Sequence, residues 1–270
     1  MTMIDRPSPN HGPRPAGAAI DILLVHYTGM PTMRQALERM CDPAAEVSAH
    51  YLIDEDGTIY RLVPEERRAW HAGRGFWAGE RDVNGRSIGV ELVNPGHEWG
   101  YRPFPMPQMV AFAGLACSVI SRHGIARHRV LAHSDVAPAR KEDPGELFDW
   151  AGLARCGVGL WPDPESAGPA PGTPGAEAFA DPGADPDAEA ADLLARFGYG
   201  VAEAPLPVVL TAFQRHFRPG LLNGRADAGT LARLRALVRL AGHRRSRPEG
   251  DPVPKASNYD GAIASMIPDA

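Results

Sequence analysis

The chain has 270 residues, a formal net charge of −5 and 44% hydrophobic residues, enough apolar material for one medium-sized domain and a second, smaller one. It contains no apolar run of about eighteen residues, which excludes a helix that spans a membrane. Three cysteines, odd in number and widely spaced, argue against a disulfide framework and against a paired-cysteine zinc site.

The amino terminus bears on the compartment. Residues 1–17 are polar and rich in proline, and they lack the apolar core that a secretory signal needs. An odd number of cysteines also suits a reducing environment. We therefore expect a cytoplasmic protein, and a periplasmic or cell-wall-associated location is the alternative.

The first element is a buried strand. Residues 20–28 are apolar, rich in β-branched side chains and followed by Gly29, a pattern typical of a strand that ends at an open edge of a sheet. This places His26 at the end of the strand. Thr32 stands three residues before Gln35, the spacing of a capping box, so a short helix should follow.

Three further strands are predicted in the next sixty residues. The apolar segments 47–53 and 59–63 are separated by an Asp-Gly turn at Asp56, which predicts a β-hairpin. Residues 87–93 form another apolar run, in which Glu91 is the single charged residue.

The rest of the first domain mixes helices with one strand. Residues 107–123 have apolar positions at helical spacing and end at Gly124, the position of a helix C-cap. A short apolar strand ends at His133, and a further helix is expected over residues 144–156. Strands and helices do not alternate regularly, so residues 1–161 should form an α/β domain with a mixed β-sheet flanked by helices.

Beyond this domain the composition changes twice. Residues 162–190 contain seven prolines, four glycines and seven acidic residues without a base, which predicts a flexible linker. Residues 191–243 contain three short helical patterns and should form a small three-helix bundle. Residues 244–270 are interpreted as a loose polar tail.

The loop from His133 to Gly145 carries the groups best suited to chemistry. It combines an imidazole with Lys141 and Asp143. Imidazole and carboxylate are ligands of a catalytic Zn²⁺, and a nearby lysine can stabilise an oxyanion. The loop lacks a third ligand, and His26 at its own strand end is the best candidate.

Five motifs occur in a characteristic order along the chain: Leu24–Thr28, Val47–Ile53, Trp70–Gly73, Ser87–Leu92 and Arg140–Gly145. Together they resemble the type-2 N-acetylmuramoyl-L-alanine amidases over roughly residues 5–161. Residues 191–240 resemble a peptidoglycan-binding module of the three-helix kind.

The amidase resemblance implies that His26, His133 and Asp143 bind zinc. It assigns the general base to Glu91 and the oxyanion-stabilising charge to Lys141. The implied reaction is hydrolysis of the amide between N-acetylmuramic acid and L-alanine, in peptidoglycan or in muropeptides.

The resemblance also suggests three substrate-binding residues, His50, Trp70 and His71. Trp70 has core packing as an equal alternative. The remaining histidines are interpreted as surface or hydrogen-bonded core residues: His11, His97, His123, His128, His216 and His243.

A non-catalytic peptidoglycan-recognition protein is the alternative to an enzyme. Such relatives typically lose a metal ligand, whereas this sequence retains every implied ligand, so the enzyme is favoured. We expect a monomer that acts on peptidoglycan or muropeptides. Nucleic-acid binding is not expected, since no groove-reading motif accompanies the arginines of the last module.

Overall fold

The computed structural model of the chain describes residues 2–162 and 185–242. The predicted tail at 244–270 and most of the predicted linker lie outside these ranges. The linker prediction is corrected at its carboxyl end, because residues 186–190 belong to a helix that begins at Pro186. Asp185 caps this helix by accepting a hydrogen bond from the Asp187 N–H.

The predicted mixed sheet is confirmed. The strands are β1 (Met3–Asp5), β2 (His11–Pro13), β3 (Ile22–Tyr27), β4 (Tyr51–Ile53), β5 (Ile59–Arg61), β6 (Arg67–Ala69), β7 (Ser87–Leu92) and β8 (Val130–Ala132). Six of them form one sheet in the order β1-β5-β4-β7-β3-β8, and β2 pairs with β6 separately. Strands β4 and β5 are antiparallel, as the predicted hairpin requires, while β4, β7, β3 and β8 run parallel.

The helices of the described residues are α1 (Met33–Cys41), α2 (Val83–Arg86), α3 (Gly96–Trp99), α4 (Met106–His123), α5 (His133–Val136), α6 (Trp150–Arg155), α7 (Pro186–Phe197), α8 (Leu206–Phe217) and α9 (Ala228–Gly242). Thr32 caps α1 as predicted, by accepting a hydrogen bond from the Gln35 N–H. The helix expected over residues 144–156 is shorter, because Asp149 caps a helix that starts only at Trp150. None of these helices is long and apolar enough to cross a bilayer.

The alternation of side chains along β3 divides the core between two faces. Leu23 and Val25 pack with α4 around Phe112 on one face. Ile22 and Leu24 point to the other face, and by the same period so does His26. This second face is covered by the carboxyl-terminal helices.

The carboxyl-terminal helices do not form a core of their own. Trp77 and Val136 of the first domain share one buried cluster with Phe197, Tyr199 and Phe213 of α7, α8 and the turn between them. Trp77 meets Phe197 and Tyr199 edge to face, with ring centroids 5.6 and 5.1 Å apart. The three helices predicted in residues 191–243 are present as α7, α8 and α9, and their buried side chains join the core of the first domain.

Candidate metal and catalytic site

The parallel strands bring three chemically active residues to one edge of the sheet. His26 of β3 lies beside Glu91 of β7, because these two residues are register partners. Val25 pairs with Ala132 of β8, so His133 begins its helix at the level of His26. In open α/β sheets, sites form at the carboxyl ends of parallel strands for this reason.

The loop after α5 adds a carboxylate to the two imidazoles. His26 Nδ1 lies 2.9 Å from His133 Nδ1, and each of these nitrogens lies 3.0 Å from Asp143 Oδ2. The three residues are 1%, 2% and 5% exposed. Their ligating atoms converge within 4.8 Å of one another, which makes them a candidate metal site.

A chain of hydrogen bonds fixes which nitrogen of His26 is free. The Ser87 hydroxyl donates to the Val83 carbonyl at 2.7 Å, so its oxygen accepts the Nε2–H of His71 at 3.2 Å. His71 Nδ1 then accepts the Nε2–H of His26 at 3.0 Å. This leaves Nδ1 of His26 without a proton and directed at Asp143.

The Nδ1 atom of His133 is also left without a proton, through a different hydrogen-bond partner. Its Nε2–H donates to the Ala72 carbonyl at 3.0 Å, which leaves Nδ1 as the unprotonated nitrogen. The loop that carries His71 and Ala72 is held in turn by Asn84, whose Oδ1 accepts both backbone N–H groups at 3.1 and 2.8 Å. One loop therefore orients both imidazoles.

The charges of the cluster suit a divalent cation. Burial, together with the neighbouring His133, lowers the pKa of His26 to about 4, so His26 is neutral at neutral pH. Burial acts to raise the pKa of Asp143, but its close contacts with His133 and His26 outweigh burial and hold that pKa well below its usual range. Neutral imidazole and ionised carboxylate are the forms that bind zinc.

Glu91 stands beside this cluster with an unpaired oxygen. Its Oε2 is buried and has no hydrogen-bond partner within the described part of the chain. Burial raises the pKa of Glu91 well above its usual value, the charge of Asp143 raises it further, and Lys141 opposes both. A carboxyl with a raised pKa and an unpaired oxygen is suited to accept and release a proton.

The cluster lies at the wall of a cleft of about 600 Å³. Four of the candidate residues from the sequence line it: Glu91, Lys141, His133 and Asp143. A second cleft of about 790 Å³ lies elsewhere, between β1, β5 and α4, and contains none of the candidate ligands. The smaller of these two clefts is therefore the candidate active site, and it is called the active-site cleft below.

The three predicted substrate-binding residues have different positions. Trp70 and His71 line the cleft, although His71 is also hydrogen-bonded to His26. His50 is fully buried and does not line it. The Gly89 N–H donates to its Nδ1, and its Nε2 donates to the Arg67 carbonyl at 3.1 Å.

The prediction for His50 is thus corrected, since both of its nitrogens serve the interior of the protein. Burial lowers the pKa of His50 to about 3, so the ring is neutral.

Some residues of the site escaped the sequence reasoning. Trp99 lines the cleft and is 56% exposed. Arg140 donates to the carbonyls of Ala72 and Arg74 at 2.9 and 2.6 Å and so holds the loop that orients the histidines. The only available signal for Trp99 was a large aromatic residue in a polar turn next to Gly100.

Comparison with known proteins agrees with the motif order. A family profile described as N-acetylmuramoyl-L-alanine amidase matches residues 16–146. The amidase AmiD of Escherichia coli is 39% identical over 244 residues, which span 83% of this chain and 84% of AmiD. The 1,6-anhydro-N-acetylmuramyl-L-alanine amidase AmpD of Enterobacter cloacae is 32% identical over 54% of this chain and 84% of its own length.

Solved structures extend the similarity to the carboxyl-terminal helices. The E. coli AmiD complex with anhydro-N-acetylmuramic acid-L-Ala-D-gamma-Glu-L-Lys has a TM-score of 0.71 and 39% identity, over 85% of this chain and 93% of that one. AmpDh3 of Pseudomonas aeruginosa has a TM-score of 0.74 and 31% identity, over 84% and 94% of the two chains. On this agreement of fold, motifs and site, the chain belongs to the type-2 N-acetylmuramoyl-L-alanine amidase family of enzymes.

Proposed function

We propose that the protein is a zinc-dependent hydrolase that cleaves the amide between the lactyl group of N-acetylmuramic acid and L-alanine of the stem peptide. The convergence of two unprotonated Nδ1 atoms and the Asp143 carboxylate beside Glu91 is the observation that carries this proposal. Two imidazoles and a carboxylate with one side open to a cleft are the donor set of catalytic zinc sites.

In this proposal His26, His133 and Asp143 hold the zinc. The fit rests on the burial of all three residues and on the two Nδ1 atoms, which are left free to bind a metal because each Nε2 is hydrogen-bonded elsewhere. Zinc, when bound, supplies a Lewis acid that polarises the scissile carbonyl and lowers the pKa of water.

Glu91 performs the proton transfers. Its unpaired Oε2 takes a proton from the attacking water, and the oxygen of that water forms a bond to the carbonyl carbon. When the C–N bond breaks, Glu91 returns the proton to the nitrogen of L-alanine, which leaves as an amine. The lactyl group keeps the second proton of the water as a carboxylic acid, which then ionises to the solvent at neutral pH. Lys141, on the wall of the same cleft, stabilises the negative charge that develops on the carbonyl oxygen.

The dimensions of the cleft favour a muropeptide. A volume of about 600 Å³ lies in the range of sites for small ligands, roughly 300–1,000 Å³. The AmiD relative was solved with an anhydromuramoyl tripeptide and AmpDh3 with an anhydromuramic pentapeptide. Exposed Trp99 and half-buried Trp70 offer apolar surfaces for sugar or stem peptide.

The test is digestion of purified muropeptide followed by mass spectrometry. The zinc-loaded protein should release the intact stem peptide, and Glu91→Gln should lose about 10²- to 10⁴-fold in kcat while retaining one zinc per chain. Glu98→Gln is the matched control. It replaces an exposed acid of α3, beyond the end of β7, and should leave turnover unchanged.

Two outcomes would contradict the proposal. Intact muropeptide after incubation with zinc-loaded wild-type protein would instead indicate a recognition protein that binds without turnover. Cleavage within the sugar chain would indicate a different hydrolase.

A further inference from the structure

A buried carboxylate outside the proposed reaction links the metal site to the carboxyl-terminal helices. Asp135 follows His133 by two residues in α5 and is 1% exposed. A carboxylate buried this deeply is stable only when donors satisfy its oxygens. Three donors do so: the Ala132 N–H at 2.8 Å, the Tyr199 hydroxyl at 2.6 Å and His216 Nδ1 at 2.7 Å.

The hydrogen bond from Ala132 to this carboxylate spans the turn that carries His133. Ala132 is the last residue of β8, and the chain turns there into the single turn of α5 that carries His133. Asp135 closes that turn by accepting a hydrogen bond from the Ala132 N–H. The direction of the His133 side chain depends on this turn.

The other two donors come from far along the chain. Tyr199 lies in the turn after α7, and His216 lies in the last turn of α8. Both are buried, at 2% and 1% exposure. The imidazole of His216 is stacked between Trp150 and Phe217, with ring centroids 3.9 and 3.7 Å away, so it has little freedom to turn.

Arg215, the residue before His216, contacts the segment that carries Asp143. Arg215 lies 3.4 Å from Glu142 and 3.5 Å from Glu146, on either side of Asp143 in the chain. Two successive residues of α8 therefore contact the segments that carry His133 and Asp143.

We infer that α7 and α8 fix the geometry of the metal site through Asp135, and that Tyr199 and His216 are positioning residues for His133. The inference rests on the proposed zinc function. Metal sites need their ligands held within about 0.5 Å of the productive position. A ligand on a one-turn helix gains that precision only if the turn is fixed from outside.

The experiment measures zinc affinity of the full chain by competition with a chelator, together with the absorption spectrum of the Co²⁺-substituted protein. Tyr199→Phe should weaken zinc binding by about tenfold, as loss of an outer partner of a metal ligand does, and should alter the Co²⁺ bands. With soluble muropeptide, kcat should fall while KM changes little.

A pair of variants of equal size separates position from packing. His216→Asn keeps a donor near the position of Nδ1 and should retain most of the zinc affinity, whereas His216→Leu should lose it. Tyr51→Phe is the matched control, because it also removes a tyrosine–carboxylate hydrogen bond, to Glu65 at 2.7 Å, on β4 and outside the active-site cleft.

The outcomes distinguish this inference from the proposed function. If wild-type protein binds zinc and cleaves muropeptide, but Tyr199→Phe and His216→Leu change only thermal stability, as Tyr51→Phe does, the positioning role is refuted. If the wild-type protein itself binds no zinc, the proposed function fails first.

Discussion

Replacing His71 by leucine should weaken zinc binding by about tenfold to a hundredfold. His26 Nε2 has His71 Nδ1 as its partner at 3.0 Å and His26 is 1% exposed, so an apolar leucine at position 71 leaves the Nε2–H of His26 without its acceptor. A buried donor left without a partner costs about 1–3 kcal/mol, and each 1.4 kcal/mol corresponds to a factor of about ten in affinity.

The neighbouring backbone shows how closely His71 is fitted to this task. A Cβ atom at Gly89 would lie 2.5 Å from the His71 ring, so glycine is required for the imidazole to approach His26. Asparagine has the size of leucine and places a side-chain oxygen near the position of Nδ1. His71→Asn should therefore retain most of the zinc affinity that His71→Leu loses.

The assay is competition for zinc with a fluorescent chelator at constant pH, with the circular dichroism spectrum of each variant as a check on folding. His123→Leu is the control, since His123 is hydrogen-bonded to Glu65 and is not among the residues that line the active-site cleft. Equal zinc affinity in the two folded His71 variants would refute the hydrogen-bond relay, whether both match wild type or both fall below it.

Three further predictions concern stability, substrate binding and metal. Hydrogen bonds from Arg122, Tyr51 and His123 outweigh burial and lower the pKa of Glu65 to about 2. Because this pKa is lower in the folded protein than the unfolded value of about 4.5, ionised Glu65 stabilises the fold at pH values above 4.5. The difference in free energy of unfolding between wild type and Glu65→Gln, at most about 3 kcal/mol, should therefore vanish as the pH falls from 4.5 to 2. Trp99→Ala should raise KM for muropeptide about three- to tenfold with kcat nearly unchanged. Zinc at about a hundred times its Kd should raise the free energy of unfolding by about 2.7 kcal/mol, and a chelator should reverse this.

Each of these has a clear opposite result. Urea denaturation that shows the same gap for Glu65→Gln at pH 7 and at pH 2 would contradict the ion-pair account. A fall in kcat without a rise in KM would remove Trp99 from substrate binding. Zinc-independent unfolding would argue against His26, His133 and Asp143 as a metal site.

The candidate ligands could be predicted because they lie in local sequence patterns that indicate strand ends. His26 and His133 end apolar segments that could be recognised as strands, and parallel strand ends meet at one edge of a sheet. The fold class followed from the same segments. Strand β1 was missed. It has only three residues, all exposed, and its partner β5 lies more than fifty residues further along the chain, so the sequence shows no alternation of apolar and polar residues there.

Side-chain partners were harder to predict than elements. Nothing in the sequence distinguishes His50, which is enclosed by Gly89 and Arg67, from His71, which lines the cleft. His216 was interpreted as either a surface or a hydrogen-bonded core residue. It is buried and bonded to Asp135, a partner 81 residues away that no local pattern in the sequence indicates. The peptidoglycan-binding role of residues 191–243, the monomeric state and the cytoplasmic location stay predictions.

The core shared between β3, Trp77 and the carboxyl-terminal helices limits which chimeras can be made between this chain and other amidases. Gly198 lies so close to Trp77 that a Cβ there would come within 2.8 Å of the indole. A chimera joined between residues 162 and 185 would set a foreign surface against Trp77, Leu131 and Val136, and Asp135 would lose two of its donors. Exchange of the helices between amidases should therefore succeed only when the facing residues of the sheet are exchanged with them.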